Sequence, residues 1–320
     1  MTRGMNASPD MQERMPELAA LLRECREATM RLSAAERWEP HQGSAAARDI
    51  AVFEKTEGLR DPRTVLEVVG TYLELATWHA GGMAATLEAH EALAAPWPLA
   101  RSVLEACARA AWVIGDPFPP ATERNRLARA YIENLISAEQ EGNVTRAVHG
   151  AGSEAAMTFR NANQQLRDEI RAVFPDTKRS DLDHKRVNGI APLSLAGSAT
   201  WYFETMHQLG AIGTDPSRLK SIYTMLSNHA HPTLYTFRQR REYFQDGKGL
   251  STRLVVQPSE LDRLVTLTVM TVYITMKVVC RYCRWPFDAD GQFEAMIDRY
   301  MPNAFMEPHP SVTLPDGHSI

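Results

Sequence analysis

The sequence predicts an all-α fold: an irregular multi-helix bundle of roughly eight to ten helices with one short β-strand or hairpin. Three observations predict it. Apolar residues recur three and four positions apart through most of the chain. Asp-Pro pairs and Pro- or Gly-rich breaks punctuate that pattern where helices start and stop. Only QDGKGLSTRLVVQP (245–258) reads as turn residues followed by a β-branched run.

The elements follow in order. PELAALLRECREATMRL (16–32) sets Leu18, Leu21, Leu22 and Met30 near one face. A loop around HQGSAA comes next. Asp61-Pro62 opens a long helix through Val65, Val68, Val69, Tyr72, Leu73 and Leu75, with a kink or break expected at Gly81-Gly82. Pro96-Trp97-Pro98 separates it from PLARSVLEACARAAWVI (98–114), which GDPFPP ends. Leu127, Tyr131 and Leu135 carry a helix over 121–141, and another is expected over 152–173. PDTKRSDLDHKRVNGIAPLS (175–194) is longer than most ordered connections. TWYFETMHQLG (200–210) resumes the helical pattern, and Asp215-Pro216 opens the next helix. Ser259 with Asp262 reads as a capping box for a long apolar helix to about 284. These elements predict a single helical domain over 1–300, with a possible subdivision near 142–200, and a flexible tail over 301–320.

A hydrophobic content of 44% over 320 residues is enough for a sizeable core. A net charge of -4 argues against a duplex-DNA-binding protein, which needs a strongly basic surface. Cys25, Cys107, Cys280 and Cys283 are too sparse for a disulfide scaffold, and the N-terminal stretch lacks the apolar run of a secretory leader. Reduced thiols and a cytoplasmic location are therefore expected. LVTLTVMTVYITMKVV (264–279) has 16 residues, carries Lys277 and is short of a membrane span, so it reads as a buried core helix.

Candidate chemistry gathers in two places. In 98–114, Arg101, Ser102, Glu105, Arg109 and Trp112 fall within about 100° of one another on a helical wheel. They form either a solvated stripe with Arg–Glu pairs or a buried or cleft-facing Arg–Glu–Arg network. In YTMLSNHAHPTLYTF (223–237), Tyr223, Ser227 and His231 lie four apart and span about 80°, while His229 lies about 200° from Ser227. Pro232 bends or ends the helix beside His231. No Glu-x-x-His pair, zincin or phosphate-loop motif occurs, so neither metal nor cofactor is expected. Cys280-x-x-Cys283 stands alone and reads as two buried or half-buried thiols. FRQRREY (237–243) is a basic run with aromatics, read as a solvated helix end or as a contact for phosphates or an acidic partner.

The two blocks together, PLARSVLEACARAAWVIGDP with ERNRLARAY and then YTMLSNHAHPTLYTF, resemble a family of uncharacterised all-helical proteins of actinobacteria. The matching positions are Arg101, Glu105, Trp112, Arg124, Arg129, Tyr223, Ser227, His231 and Thr233. That family looks distantly like the HEPN-type helical bundles of bacterial defence systems, many of which are ribonucleases whose motif is Arg, four to six residues, then His. Here the residues four to seven before His231 are Ser227, Leu226, Met225 and Thr224, so that arginine is absent.

The expected site is one internal cleft. His231 would transfer protons, Glu105 would orient it, and Arg101 would hold an anion, with Ser227 and Tyr223 beside them. Arg109, Trp112, Arg124 and Arg129 are the candidates for contacting a ligand. Three functions stay open: a HEPN-like binding or regulatory protein in defence or stress that acts on RNA, a small-molecule enzyme of specialised metabolism, and a helical oligomerisation scaffold. The matching partners are RNA, a small anionic ligand and a second copy of the chain.

Overall fold

The computed structural model describes residues 9–90, 92–115, 120–212, 215–231, 234–245 and 250–302. Among these the fold is all-α, with one two-stranded antiparallel sheet. The helices are α1 (Pro9–Glu36), α2 (Ala45–Phe53), α3 (Thr64–Glu88), α4 (Pro96–Ile114), α5 (Glu123–His149), α6 (Glu154–Val173), α7 (Arg179–Asp183), α8 (Leu195–Gln208), α9 (Pro216–Ala230), α10 (Leu234–Gln239), α11 (Pro258–Cys283) and α12 (Gln292–Tyr300). The strands β1 (Arg241–Gln245) and β2 (Leu250–Leu254) lie between α10 and α11.

Helix α4 occupies the middle. It packs against α3, α11, α8, α9 and α5. Its sequence explains why. Ala100, Ala106, Ala108, Ala110 and Ala111 are all buried, and such small side chains let neighbours approach on several sides. Pro96 begins it in the first turn, where a missing N–H costs nothing. Gly115 ends it at φ +96°, and a Cβ there would fall 2.4 Å from Ala121 Cβ and 2.5 Å from an Arg129 guanidinium nitrogen. Only glycine meets both demands. One buried apolar cluster draws on α1 to α9, α11 and α12.

Several expectations change. α3 runs without a break through Gly81-Gly82, because Gly81 is buried and Gly82 has Leu99 as its nearest neighbour. α2 and α12 were not expected: α2 is nine residues long, too short for a clear period, and α12 follows directly on a loop. The long connection holds α7 and a bridge between Val187 and Ile190. α11 starts at Pro258 with Gln257 as its cap and no side-chain cap bond, so the Ser259–Asp262 capping box is not formed. FRQRREY leaves the helix at Gln239 and enters β1. The 301–320 tail lies almost wholly outside the described residues, as do Pro232 and Thr233.

α11 is the one described helix long and apolar enough to cross a membrane, and 67% of its most apolar stretch is buried within the protein. Beyond Gly115, α5 and α6 form an antiparallel arm. Phe159 packs on the backbone of Gly142, where a Cβ would lie 2.4 Å from the ring.

Candidate functional site

The α4 stripe divides into two networks. Arg101 Nε donates to Glu105 Oε1 at 2.7 Å, one helical turn away. The Tyr223 hydroxyl, from α9, donates to the same oxygen at 2.9 Å, and Arg101 reaches back to that hydroxyl at 3.4 Å. The Ser227 hydroxyl hydrogen-bonds Tyr223 from the next turn of α9. Burial, and then the bond to Glu105, push the Tyr223 phenol above its ordinary value. Burial works against the Arg101 charge, but the Glu105 contacts outweigh it and its pKa ends raised. Four of the five expected site residues thus meet.

His231 does not join them. α9 reaches Ala230, and the His231 N–H still donates to the Ser227 carbonyl at 3.2 Å. His231 therefore continues the face of Tyr223 and Ser227, but it is exposed. No hydrogen bond among the described residues joins its ring to Glu105 or Ser227. The ring lies one turn too far along the helix, past the edge of α4. His229, opposite Ser227 on the wheel, meets α4 too, nearer its start. It stacks on Trp97 with ring centroids 5.3 Å apart and donates from Nδ1–H to the Met225 carbonyl at 2.8 Å.

Arg109 belongs to a second network on the same helix. It pairs with Glu133 of α5, and both bond the Tyr72 hydroxyl of α3. The Arg109 and Glu133 side chains are only 14% and 5% exposed. The stripe is mostly buried and paired, but Arg101 and Arg109 take different carboxylates, so no single Arg–Glu–Arg network forms. Each pair closes on itself instead of opening on a common cleft.

The remaining candidates make contacts of their own. Trp112 is buried in α4. Arg129 donates to the Trp112 carbonyl at 2.8 Å, so it caps the end of α4 and lies 5.5 Å from the Trp112 ring. Arg124 is exposed and sits over Phe174 at 4.8 Å.

The cation–carboxylate–phenol arrangement recurs. Arg126 of α5 grips Asp49 of α2 with two bonds, at 2.6 and 2.8 Å, and the Tyr282 hydroxyl of α11 donates to Asp49 at 2.7 Å. Tyr131 donates to Glu169, which Arg60 approaches at 3.4 Å. Tyr273 donates to Glu294 and receives Lys277 at 3.4 Å. Sequence reasoning missed these three because their members stand far apart in the chain. Each joins two or more elements, and in each a phenol donates to a buried or half-buried carboxylate.

A different surface is open. Six of the large apolar side chains that stand exposed among the described residues fall between positions 225 and 250: Met225, Leu234, Phe237, Tyr243, Phe244 and Leu250. Arg238, Arg241 and Arg253 are exposed among them. Arg240 is not. Its guanidinium lies 3.8 Å over Trp97 and donates to the Leu93 carbonyl, with Glu260 3.9 Å away. It anchors the hairpin to the body, and its burial lowers its pKa.

The four cysteines are free and buried. Burial pushes the Cys107 and Cys280 thiols up to about 12, far from a reactive thiolate. Among the described residues no group of three His, Cys, Asp or Glu is placed to hold a metal. A cleft between α5 and α6 is lined by Glu141, Thr145, His149, Thr158, Phe159 and Leu166, away from the Arg101 cluster. In comparisons with known proteins, no family model, no curated protein and no solved structure matches the chain.

Proposed function

We propose that this chain is a helical binding protein, HEPN-like in character, whose ligand is single-stranded RNA held on the α10–β1–β2 surface. One observation carries the reading: Phe237, Tyr243 and Phe244 stand exposed in one short α10–β1–β2 segment that also exposes Arg238, Arg241 and Arg253. Rings that stand in solvent offer faces on which unpaired bases stack, whatever their identity. Guanidiniums between them neutralise the phosphates that join those bases. A duplex, whose bases are already stacked, gains nothing from such rings. The overall charge of -4 fits a local contact of this kind.

The Arg101–Glu105–Tyr223–Ser227 cluster serves this function from behind. It fixes α9 to α4, and α9 leads into α10 and the hairpin. In this reading its groups hold the platform in place instead of doing chemistry.

The test is the anisotropy of a labelled RNA dodecamer titrated with protein, with the matching duplex as competitor. Removing one stacking ring, as in Tyr243→Ala or Phe244→Ala, should weaken binding about fivefold or more. A log-log salt slope of about -2 is expected from three phosphate contacts to a single strand. Equal affinity for duplex and single strand, or no binding at low salt, overturns the reading.

A further inference from the structure

The hairpin has an edge that nothing described in the chain covers, and the residues along it are matched to themselves. From this we infer that two copies of the chain join β2 to β2, antiparallel, into one four-stranded sheet.

The register sets which groups are free. Val255 N–H donates to the Arg240 carbonyl at 2.9 Å, which makes 240 and 255 a hydrogen-bonded pair. The paired positions then run Arg241–Leu254, Glu242–Arg253, Tyr243–Thr252, Phe244–Ser251 and Gln245–Leu250. In an antiparallel ladder, hydrogen-bonded and non-bonded pairs alternate. Arg253 and Ser251 therefore turn their backbone groups toward β1. Leu250, Thr252 and Leu254 turn theirs outward. Among the described residues no backbone group bonds to these three N–H and three C=O groups.

Those outward positions complement a second copy. A twofold axis at Thr252 places Thr252 against Thr252 of the second copy, and Leu250 against its Leu254. Each of these is a hydrogen-bonded pair, so all six free groups find partners at once. Leucine meets leucine and a β-branched residue meets its like, both favourable cross-strand pairs. No like charges are opposed. Arg253, the one charge on β2, faces Ser251 of the second copy and is already paired with Glu242 at 3.0 Å. Strands left at an edge are commonly guarded by charges or a proline; β2 has no proline, and its one charge, Arg253, is held by Glu242 and is not among the outward-turned positions. Leu250 is instead 71% exposed. The β1 edge is less suited, since its outward residues are Arg241, Tyr243 and Gln245. A two-stranded hairpin with neither face covered is also marginal alone, and four strands relieve that.

The pairing extends the proposed platform without depending on it. Tyr243, Thr252 and the two equivalent residues of the second copy line up in one row on one face. The two tyrosines end about 14 Å apart across three strand spacings. An RNA strand crossing that face would meet rings from both copies.

The experiment is the mass in solution, by light scattering, over a range of protein concentrations. The wild type should be a dimer. Thr252→Lys should be a monomer, because it opposes two like charges at the axis, whereas Thr252→Val should stay dimeric. Leu250→Glu is the second disruptive variant, and circular dichroism reports whether each variant is folded. A wild type that is monomeric throughout, or a dimer that survives both substitutions, overturns the inference. RNA anisotropy on the same samples separates the two proposals. A monomeric wild type that binds RNA removes only the pairing, and a dimer that ignores RNA removes only the ligand.

Discussion

The Tyr223 hydroxyl donates to Glu105 Oε1 at 2.9 Å across 118 positions of sequence. One phenol thereby ties α9 to the central helix. Tyr223→Phe should cost about 0.5–1.5 kcal/mol, the net worth of one hydrogen bond, in a denaturant titration. RNA affinity should stay within a factor of two, because the rings that bind lie on other elements. A tenfold loss of affinity with an unchanged melting temperature would return this cluster to the status of a binding site.

Glu133 is the more costly carboxylate to remove. Its partner Arg109 is 14% exposed, and Tyr72 also donates to it. Glu133→Ala leaves a buried guanidinium without its counter-charge and should cost about 3–5 kcal/mol. Glu105→Ala should cost clearly less, since Arg101 and Glu105 retain more access to water, at 17% and 18% exposure. Chemical denaturation of the two variants side by side checks the ranking.

Neighbouring arginines should behave oppositely. Arg240→Ala removes a cation from Trp97 and a donor from Leu93, so it should lower the melting temperature by several degrees. Arg241→Ala lies on the exposed strand and should leave stability within about 0.5 kcal/mol while weakening RNA binding. Thermal melts and anisotropy on both variants separate anchor from contact.

The phenols set the alkaline limit of the fold. Burial pushes Tyr72, Tyr131, Tyr202, Tyr223, Tyr273 and Tyr282 above the ordinary value. An unfolded tyrosine ionises near 10. Above that pH the unfolded chain has lost protons that the folded one keeps, so stability is full below about pH 10 and falls as pH rises. Tyrosinate absorbance should therefore appear for these residues only as the chain unfolds. Early, non-cooperative ionisation of all nine tyrosines, with circular dichroism intact, would contradict this.

The sequence was most readable where one helix carries its own signal. The α4 stripe, its Pro start and its Gly stop are local, and the wheel placed Arg101, Glu105 and Arg109 correctly. His229 lies opposite Ser227 on the wheel, yet it too packs on α4, through Trp97. What the wheel cannot supply is how far along a helix a neighbour extends. His231 shares a face with Ser227 yet lies beyond the reach of Glu105. The basic run 237–243 was legible only in part for a related reason: it spans the change from α10 to β1, so a single period does not describe it. Arg240 and Arg241 look equivalent in the sequence and face opposite ways. The triads built on Asp49, Glu169 and Glu294 depend on pairings between distant segments, which no local pattern records.

All four thiols are closed off from solvent. The wild-type chain is therefore silent toward thiol-reactive probes while it stays folded. A cysteine introduced at a surface position would be the single site of attachment for a dye or spin label. Any separation read between two such labels would then be a distance between copies, without first stripping the native cysteines from the core.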